Sequence, residues 1–553
     1  MRLARGEGMQ PKLLFRFSLA FLTLAVADLY AQPAASAGTA ISQHRELPAD
    51  QQIIHALSRL TFGPRPGDVL KVRAMGLDNW IEQQLHPERI DDDAMEAFVA
   101  RYPTINRDQN DLIRQYVEQQ RERREAQRAR TDTPLSAADS AATRREMQQR
   151  YNLTRRVVTE LQSSRAARAV ASERQLQEVM TDFWHNHFSV FVQKGQAQPY
   201  YIIDFDRNVI RPRSLGKFRD LLGAVAQSPA MLFYLDNARS MADSGRPTLT
   251  ADGRIRPAAP AGGAAAQRRR ARGLPEIQPQ AAQRRRPGLN ENYGRELLEL
   301  HTLGVDGGYT QQDVINVARA FTGWTIRQPQ QGSGFIFRPQ VHDAGEKVVL
   351  GHKLAAGRGI EDGEDVLDIL ARSPVTARFI ATKIARRFVS DVPPKELVDR
   401  AAAEFLRTDG DIREVVRTIV TSPEFFSRQA FRGKVKSPFE VVVSAMRALN
   451  AQPDSTPRTA QVIAYLGQPI FGHQAPNGWP ETGESWMNTG AILNRINFGM
   501  AAAAGRLPGI DIRALPALDT VRSSSREKQV DAVVATLLNG MVSPDTRTVL
   551  VSG

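Results

Sequence analysis

Asn290-Glu-Asn-Tyr-Gly-Arg-Glu-Leu-Leu-Glu-Leu-His-Thr-Leu-Gly304 packs two asparagines, three glutamates, an arginine and a histidine into one segment that still reads as a helix. At 100° per residue, Asn292, Glu296 and Glu299 project to one side, while His301 turns toward Leu297 and Leu298. The glycines of Gly304-Val-Asp-Gly-Gly-Tyr-Thr310 suit a helix C-cap and a tight turn. Thr310-Gln-Gln-Asp313 then opens a new helix with a capping box, and Val314, Val317, Ala318, Phe321 and Trp324 form its apolar stripe. Asp306-Gly-Gly lacks the carboxylate ladder of a calcium loop. Helical period followed by a cap and a second helical period sets the expectation for the chain: a helix-on-helix protein.

About a hundred residues upstream lies Phe183-Trp-His-Asn-His-Phe188. Ser172-Glu-Arg-Gln175 has the capping-box pattern and is expected to open its helix, Glu173 to Phe188. Leu176, Val179, Met180 and Phe183 share one face, and His187 falls in that stripe. His185 points about 200° away, so one metal cannot take both histidines of a regular helix. His187 is read either as a buried, hydrogen-bonded core residue or as a ligand. Helical bundles build metal sites where carboxylates on one helix meet histidines on another. On that pattern Glu296, Glu299 and Asn292 are candidate acid–base or orienting groups, with an ion-pair network through Arg295 as the alternative. His342-Asp343, with Lys347 and His352 nearby, supplies further candidate ligands, and the implied cofactor is a divalent metal. Asn477-Gly-Trp-Pro-Glu-Thr-Gly-Glu-Ser-Trp486 is a glycine-rich aromatic loop. Trp479 and Trp486 suit stacking on sugar rings, or a lid over the core. No phosphate loop, His-Glu-x-x-His motif or nucleophile elbow is present.

Gly334-Phe-Ile-Phe-Arg338 and Lys347-Val-Val-Leu350 have strand character, which predicts one small hairpin near 334–350. Helices are expected over 361–372, 374–390, 395–407, 411–421 and 437–450, and two Arg/Glu-rich helices on either side of Thr131-Asp-Thr-Pro134. No strand–helix alternation appears, so the fold class is mainly α, a large multi-helix globular domain.

The 553 residues carry a formal net charge of +13. The stretch Arg254–Arg286 contributes +8 and the first thirty residues +2, leaving +3 for the rest. A nucleic-acid binder carries its excess on a folded face, so nucleic acid is not the expected partner. A basic start ending at Lys12, an apolar run from Leu13 to Ala27 and small residues up to Ala31 or Ala37 predict an export signal over 1–37. That run is shorter than the ~20 residues a membrane span needs, so no stable span is expected after cleavage. A linker follows over 38–49. One helical domain is expected from 50–236 and 289–505. It is interrupted by a disordered Arg/Ala/Pro/Gly-rich insertion at 237–288 and followed by a helical segment at 506–553. The chain has no cysteine, which excludes disulfides, thiolate metal sites and cysteine catalysis.

Taken in order, these motifs resemble one family, the large bacterial domain-of-unknown-function 1800 family. The resemblance runs through Leu57-Ser-Arg-Leu-Thr-Phe-Gly-Pro-Arg-Pro-Gly67, Gly76-Leu-Asp-Asn-Trp-Ile-Glu-Gln-Gln-Leu-His-Pro87, Phe183–Phe188 and Met231-Leu-Phe-Tyr-Leu-Asp236. It continues through 290–304, Tyr309-Thr-Gln-Gln-Asp-Val314, Ala320-Phe-Thr-Gly-Trp324, His342-Asp343, Lys436-Ser-Pro-Phe-Glu440 and Asn477-Gly-Trp-Pro480. It implies a bacterial, mostly exported protein and brings no catalytic residues to carry over. The end at Gly553 falls shortly before the family's usual close, and a truncated C-terminus is one expectation. Two functions follow as expectations for a periplasmic or secreted protein. One is a metal-assisted or acid–base hydrolase of the cell envelope. The other is a non-catalytic scaffold or binding module for envelope polysaccharide or another exported protein.

Overall fold

The structure, a computed structural model, describes residues 45–130, 137–258, 288–510, 521 and 523–553. The expected signal segment therefore lies outside the described residues. Contacts divide the chain between Arg45 and Glu46, and the second unit, residues 46–553, holds the fold. It begins before the expected Asp50: Leu47 is buried, and its N–H donates to the Phe426 carbonyl at 3.3 Å.

The protein is mainly helical. The helices that position the site are α1 (Ala49–Leu60), α2 (Ala137–Ala171), α3 (Gln175–His187), α4 (Glu291–Glu299), α5 (Gln311–Ala320), α6 (Pro374–Phe388), α7 (Pro438–Ala448), α8 (Thr489–Ala503) and α9 (Arg526–Leu538). Their apolar spacing explains them. In α1, Ile53, Ile54, Leu57 and Leu60 recur at helical intervals and all are buried. In α5 the Thr310 hydroxyl accepts from the Asp313 N–H, and the Asp313 carboxylate accepts from the Thr310 N–H: the capping box read from the sequence. Ser437 and Glu440 make the same box at the start of α7.

The box expected at Ser172 does not form. The Ser172 hydroxyl instead donates to Asp92 at 2.7 Å, and Gln175 reaches back to the Ala169 and Ser172 carbonyls, so α3 starts at Gln175.

Among the described residues, three two-stranded antiparallel sheets decorate the helices. β1 (Thr248–Leu249) pairs with β2 (Ile255–Arg256), β3 (Trp324–Ile326) with β4 (Phe335–Phe337), and β5 (Lys347–Val349) with β6 (His352–Leu354). The two segments with strand character are strands, but they do not pair with each other. Lys347–Val349 takes the strand at His352 directly after it, because a short connection closes at lower entropic cost, while Phe335–Phe337 pairs with Trp324–Ile326. The stretch expected to be disordered from 237 onward is ordered in its described part. Asn237 is fully buried and donates to the Phe321 and Trp324 carbonyls, and Leu249 of β1 is buried. Residues 259–287 lie outside the described residues. One apolar cluster runs from Ile53 to Leu507, with Trp184, Phe188, Tyr293 and Trp324 among its largest fully buried members.

Candidate functional site

Helix α3 is buried on nearly every side, which the single apolar stripe did not predict. His185, expected to turn away from the core, is buried too, and its Nε2 lies 2.8 Å from Asp206 Oδ1. Burial, then the Arg165 guanidinium, hold the imidazole down to about 4 against the pull of Asp206. Asp206 is itself shared with Arg211, which also pairs with Glu178. His187 points elsewhere, as the helical wheel requires: its Nε2 lies 3.1 Å from the His301 carbonyl. Its Nδ1 and His301 Nε2 are buried without a hydrogen-bond partner among the described residues. Burial pushes the pKa of both rings well down. The histidines of the two opening motifs therefore meet as a neutral buried pair, ring centroids 6.3 Å apart, with His301 on its leucine side as expected.

Between the two histidines, Asn186 does something neither wheel indicated. Its side-chain amide donates to the Trp479 carbonyl at 2.9 Å and accepts from the Trp479 N–H at 2.7 Å. This two-way clamp seats the 477–486 loop on α3. Gly478 is required there: its φ is +72°, and a Cβ at that position would stand 2.2 Å from the Asn186 carbonyl oxygen. The Trp479 ring is half-buried, 4.6 Å from the His473 ring and 6.1 Å from Trp486. Trp486 is buried and donates from its indole N–H to the Pro480 carbonyl, so it backs Trp479 and is not an exposed contact.

Under this loop lies a cleft of about 120 Å³, lined by Asp182, His185, Lys383, Glu440, Trp479 and Glu481 among others. That is several times the ~10–15 Å³ one water needs. Asp182 sits one turn before Asn186 and accepts from Arg165 Nη2 at 2.8 Å. Its side chain keeps 27% of its surface, but that surface faces the cleft, so burial still raises its pKa over the opposing pull of Arg165. Glu440 behaves oppositely. Burial works against its charge, yet Arg387, the Ser437 N–H and Lys436 outweigh it and hold the carboxyl down to about 2. Glu481 pairs with Lys383 and Arg386. Two carboxyls driven apart thus share one aromatic-walled cleft.

The other expected site residues are elsewhere. Asn292 is exposed, and Glu296 and Glu299 are half-exposed on the outer side of α4, where Glu299 accepts from the Tyr309 hydroxyl at 3.1 Å. Burial and the neighbouring Glu299 raise the Glu296 pKa, yet neither residue lines the cleft. His342 and Asp343 are buried in a separate network. His342 Nδ1 lies 2.8 Å from the Thr322 carbonyl, and its Nε2 faces Asp362, which also takes Lys347 Nζ at 2.6 Å. Asp343 accepts from Arg319 at 2.8 and 3.1 Å. His187, His342 and Asp343 therefore do not form the expected metal set: each is already engaged by a different partner. Among the described residues no group of three or more histidines and carboxylates could hold a metal ion. The residues that build the cleft, Asp182, Asn186, Lys383 and Glu440, were not singled out from the sequence. The available signals were Asp182 one turn before Asn186 and the Ser437–Glu440 capping box.

No helix among the described residues is long and apolar enough to cross a membrane. A family model described as protein of unknown function (DUF1800) matches residues 55–553, nearly the whole chain. No curated protein matches, and no solved structure matches.

Proposed function

The chain belongs to the DUF1800 family, and we propose that it is an exported cell-envelope protein that binds polysaccharide in the cleft beneath Trp479. One observation carries this: the Asn186 clamp fixes an aromatic ring at a cleft whose other walls combine apolar side chains with ion-paired charged ones. Sugar rings present an apolar face that stacks on indole and a rim of hydroxyls that needs donors and acceptors. Lys383, Glu481 and Asp182 supply both kinds. The basic, apolar and small-residue order of the first 37 residues supports export. Retention on insoluble envelope polysaccharide, with calorimetry on soluble fragments, tests the proposal. Trp479→Ala is expected to abolish retention with an unchanged far-UV spectrum. Equal retention of the variant, or none by the parent protein, sinks it.

A second reading, acid–base hydrolysis of the bound chain, is favoured by the divergent carboxyls. Asp182, pushed up, would hold a proton for a leaving oxygen, while Glu440, held down, stays ionised across the neutral range. Asp182→Asn is expected to remove turnover and leave polysaccharide retention intact. Turnover that survives the substitution assigns the cleft to binding alone. A metal-assisted route draws no support from the residues present, because the expected ligands are dispersed and otherwise engaged.

A further inference from the structure

On the other side of the 434–440 segment lies a second, larger cavity of about 840 Å³ between α1, α7, α8 and α9. That volume is in the range of small-molecule sites. Its walls are apolar, with Ile54, Val441, Ala445, Leu449, Phe498 and Leu537 contributed by all four helices. Four cations interrupt this lining: Arg59, Lys434, Lys436 and the exposed Arg432, which donates to the Met541 carbonyl at 2.7 Å. The Lys436 ammonium makes no hydrogen bond or ion pair with any described residue, and the Arg59 guanidinium donates only to the Ala430 carbonyl at 2.9 Å, with no carboxylate partner among them. Glu440 attracts both by its charge but makes its ion pair with Arg387. The next cation along the chain, Lys434, is satisfied by Asp391. Burial has already pushed the Lys436 ammonium down to about 8 and the Arg59 guanidinium down to about 10. A charge kept in mainly apolar surroundings without a directly paired counter-charge is costly, and an anion bound beside it removes that cost.

We propose that this cavity binds a single-chain aliphatic carboxylate, with its chain along the apolar wall and its head group at Lys436 and Arg59. Charge complementarity sets the head group, since Lys436 and Arg59, neither paired with a carboxylate among the described residues, face one mainly apolar volume. The wall sets the tail, because Ile54, Val441, Ala445, Leu449, Phe498 and Leu537 make most of it apolar.

Titration of the purified full chain with decanoate, followed by calorimetry, tests this against decyltrimethylammonium, which has the same chain length and the opposite charge. Saturable one-to-one binding of decanoate and none of the cation is expected. Lys436→Met is expected to weaken decanoate at least about tenfold, the size of one lost charge-assisted contact. Ala445→Trp, which fills the cavity, is expected to abolish binding with helical content intact. Should that variant fail to fold, Lys436→Met decides alone. Equal binding of both amphiphiles, no saturable binding, or full affinity in Lys436→Met overturns the proposal. So does concentration-dependent dimerisation that decanoate does not reverse, which would make the occupant a second copy of the chain.

Discussion

At the scale of single residues, the site depends on Asn186 and Gly478. Asn186 holds the Trp479 backbone by both ends of its side-chain amide, the NH2 donating and the oxygen accepting. Asn186→Leu leaves the Trp479 N–H and carbonyl without their side-chain partner, so a loss of ~1–3 kcal/mol is expected by urea unfolding. Asn186→Asp keeps the acceptor and loses the donor, and should fall between the two. Equal stability of all three proteins would show that the clamp carries no weight. Gly478→Ala faces both a positive φ and a backbone oxygen at 2.2 Å, so the loop must shift. Polysaccharide retention should then fall even where the melting temperature changes little. Sequence reasoning singled out both partner motifs and missed the contact, because a helical wheel gives direction and not what lies in that direction. Asn186 was passed over for its flanking histidines, whose aromatic surroundings make them core.

At the scale of elements, local rules held where nothing competed with them. The expected helices between 361 and 450 appear as Glu361–Ala371, Pro374–Phe388, Lys395–Arg407, Ile412–Val420 and Pro438–Ala448, each end within about two residues, the usual fraying range. Thr310 caps α5 because its hydroxyl has no other suitor, whereas Ser172 is drawn to Asp92 from a different part of the chain. Packing of α4 on α5 yields a test with opposing signs. Alanine in place of Gly294 would stabilise an isolated helix by about 1 kcal/mol. In this protein a Cβ there meets the Val314 carbonyl at 2.7 Å and the Ala318 nitrogen at 2.9 Å. Overpacking costs ~1–3 kcal/mol, so Gly294→Ala is expected to destabilise. A rise in the urea midpoint would mean that the two helices do not pack so closely. Glu296→Gln, on the half-exposed face of the same helix, should change stability by less than about 0.5 kcal/mol.

At the scale of the whole molecule, buried neutral histidines give the fold its pH dependence. His55 and His301 are held down to about 3 and His185 to about 4, in each case first by burial, and His187 is also lowered. A lowered histidine favours the neutral form in the fold, so its contribution is complete above the unfolded value of ~6.5 and is lost as pH falls toward the folded value. Each pH unit in that window is worth at most about 1.4 kcal/mol per histidine. Asp182, Asp92 and Glu296, all raised by burial, act in the opposite sense and only in the carboxylate range. The unfolding free energy is therefore expected to fall between about pH 6.5 and about pH 4.5. Urea titrations across that interval check it, and a flat profile would show that the imidazoles reach water. What the sequence alone determined was what repeats locally: apolar spacing that makes helices, the Thr310 cap, the turn glycines, and an ordered motif set that marks the family. Only the tertiary structure decided which motifs meet. It put Asn186 against Trp479, closed His187 onto His301, left Glu296 and Glu299 on the outside, and tied His342 and Asp343 to Lys347 and Arg319 through their own network. Those contacts join residues far apart in the chain, and their partners are chosen by the packing of whole helices, which no local pattern encodes.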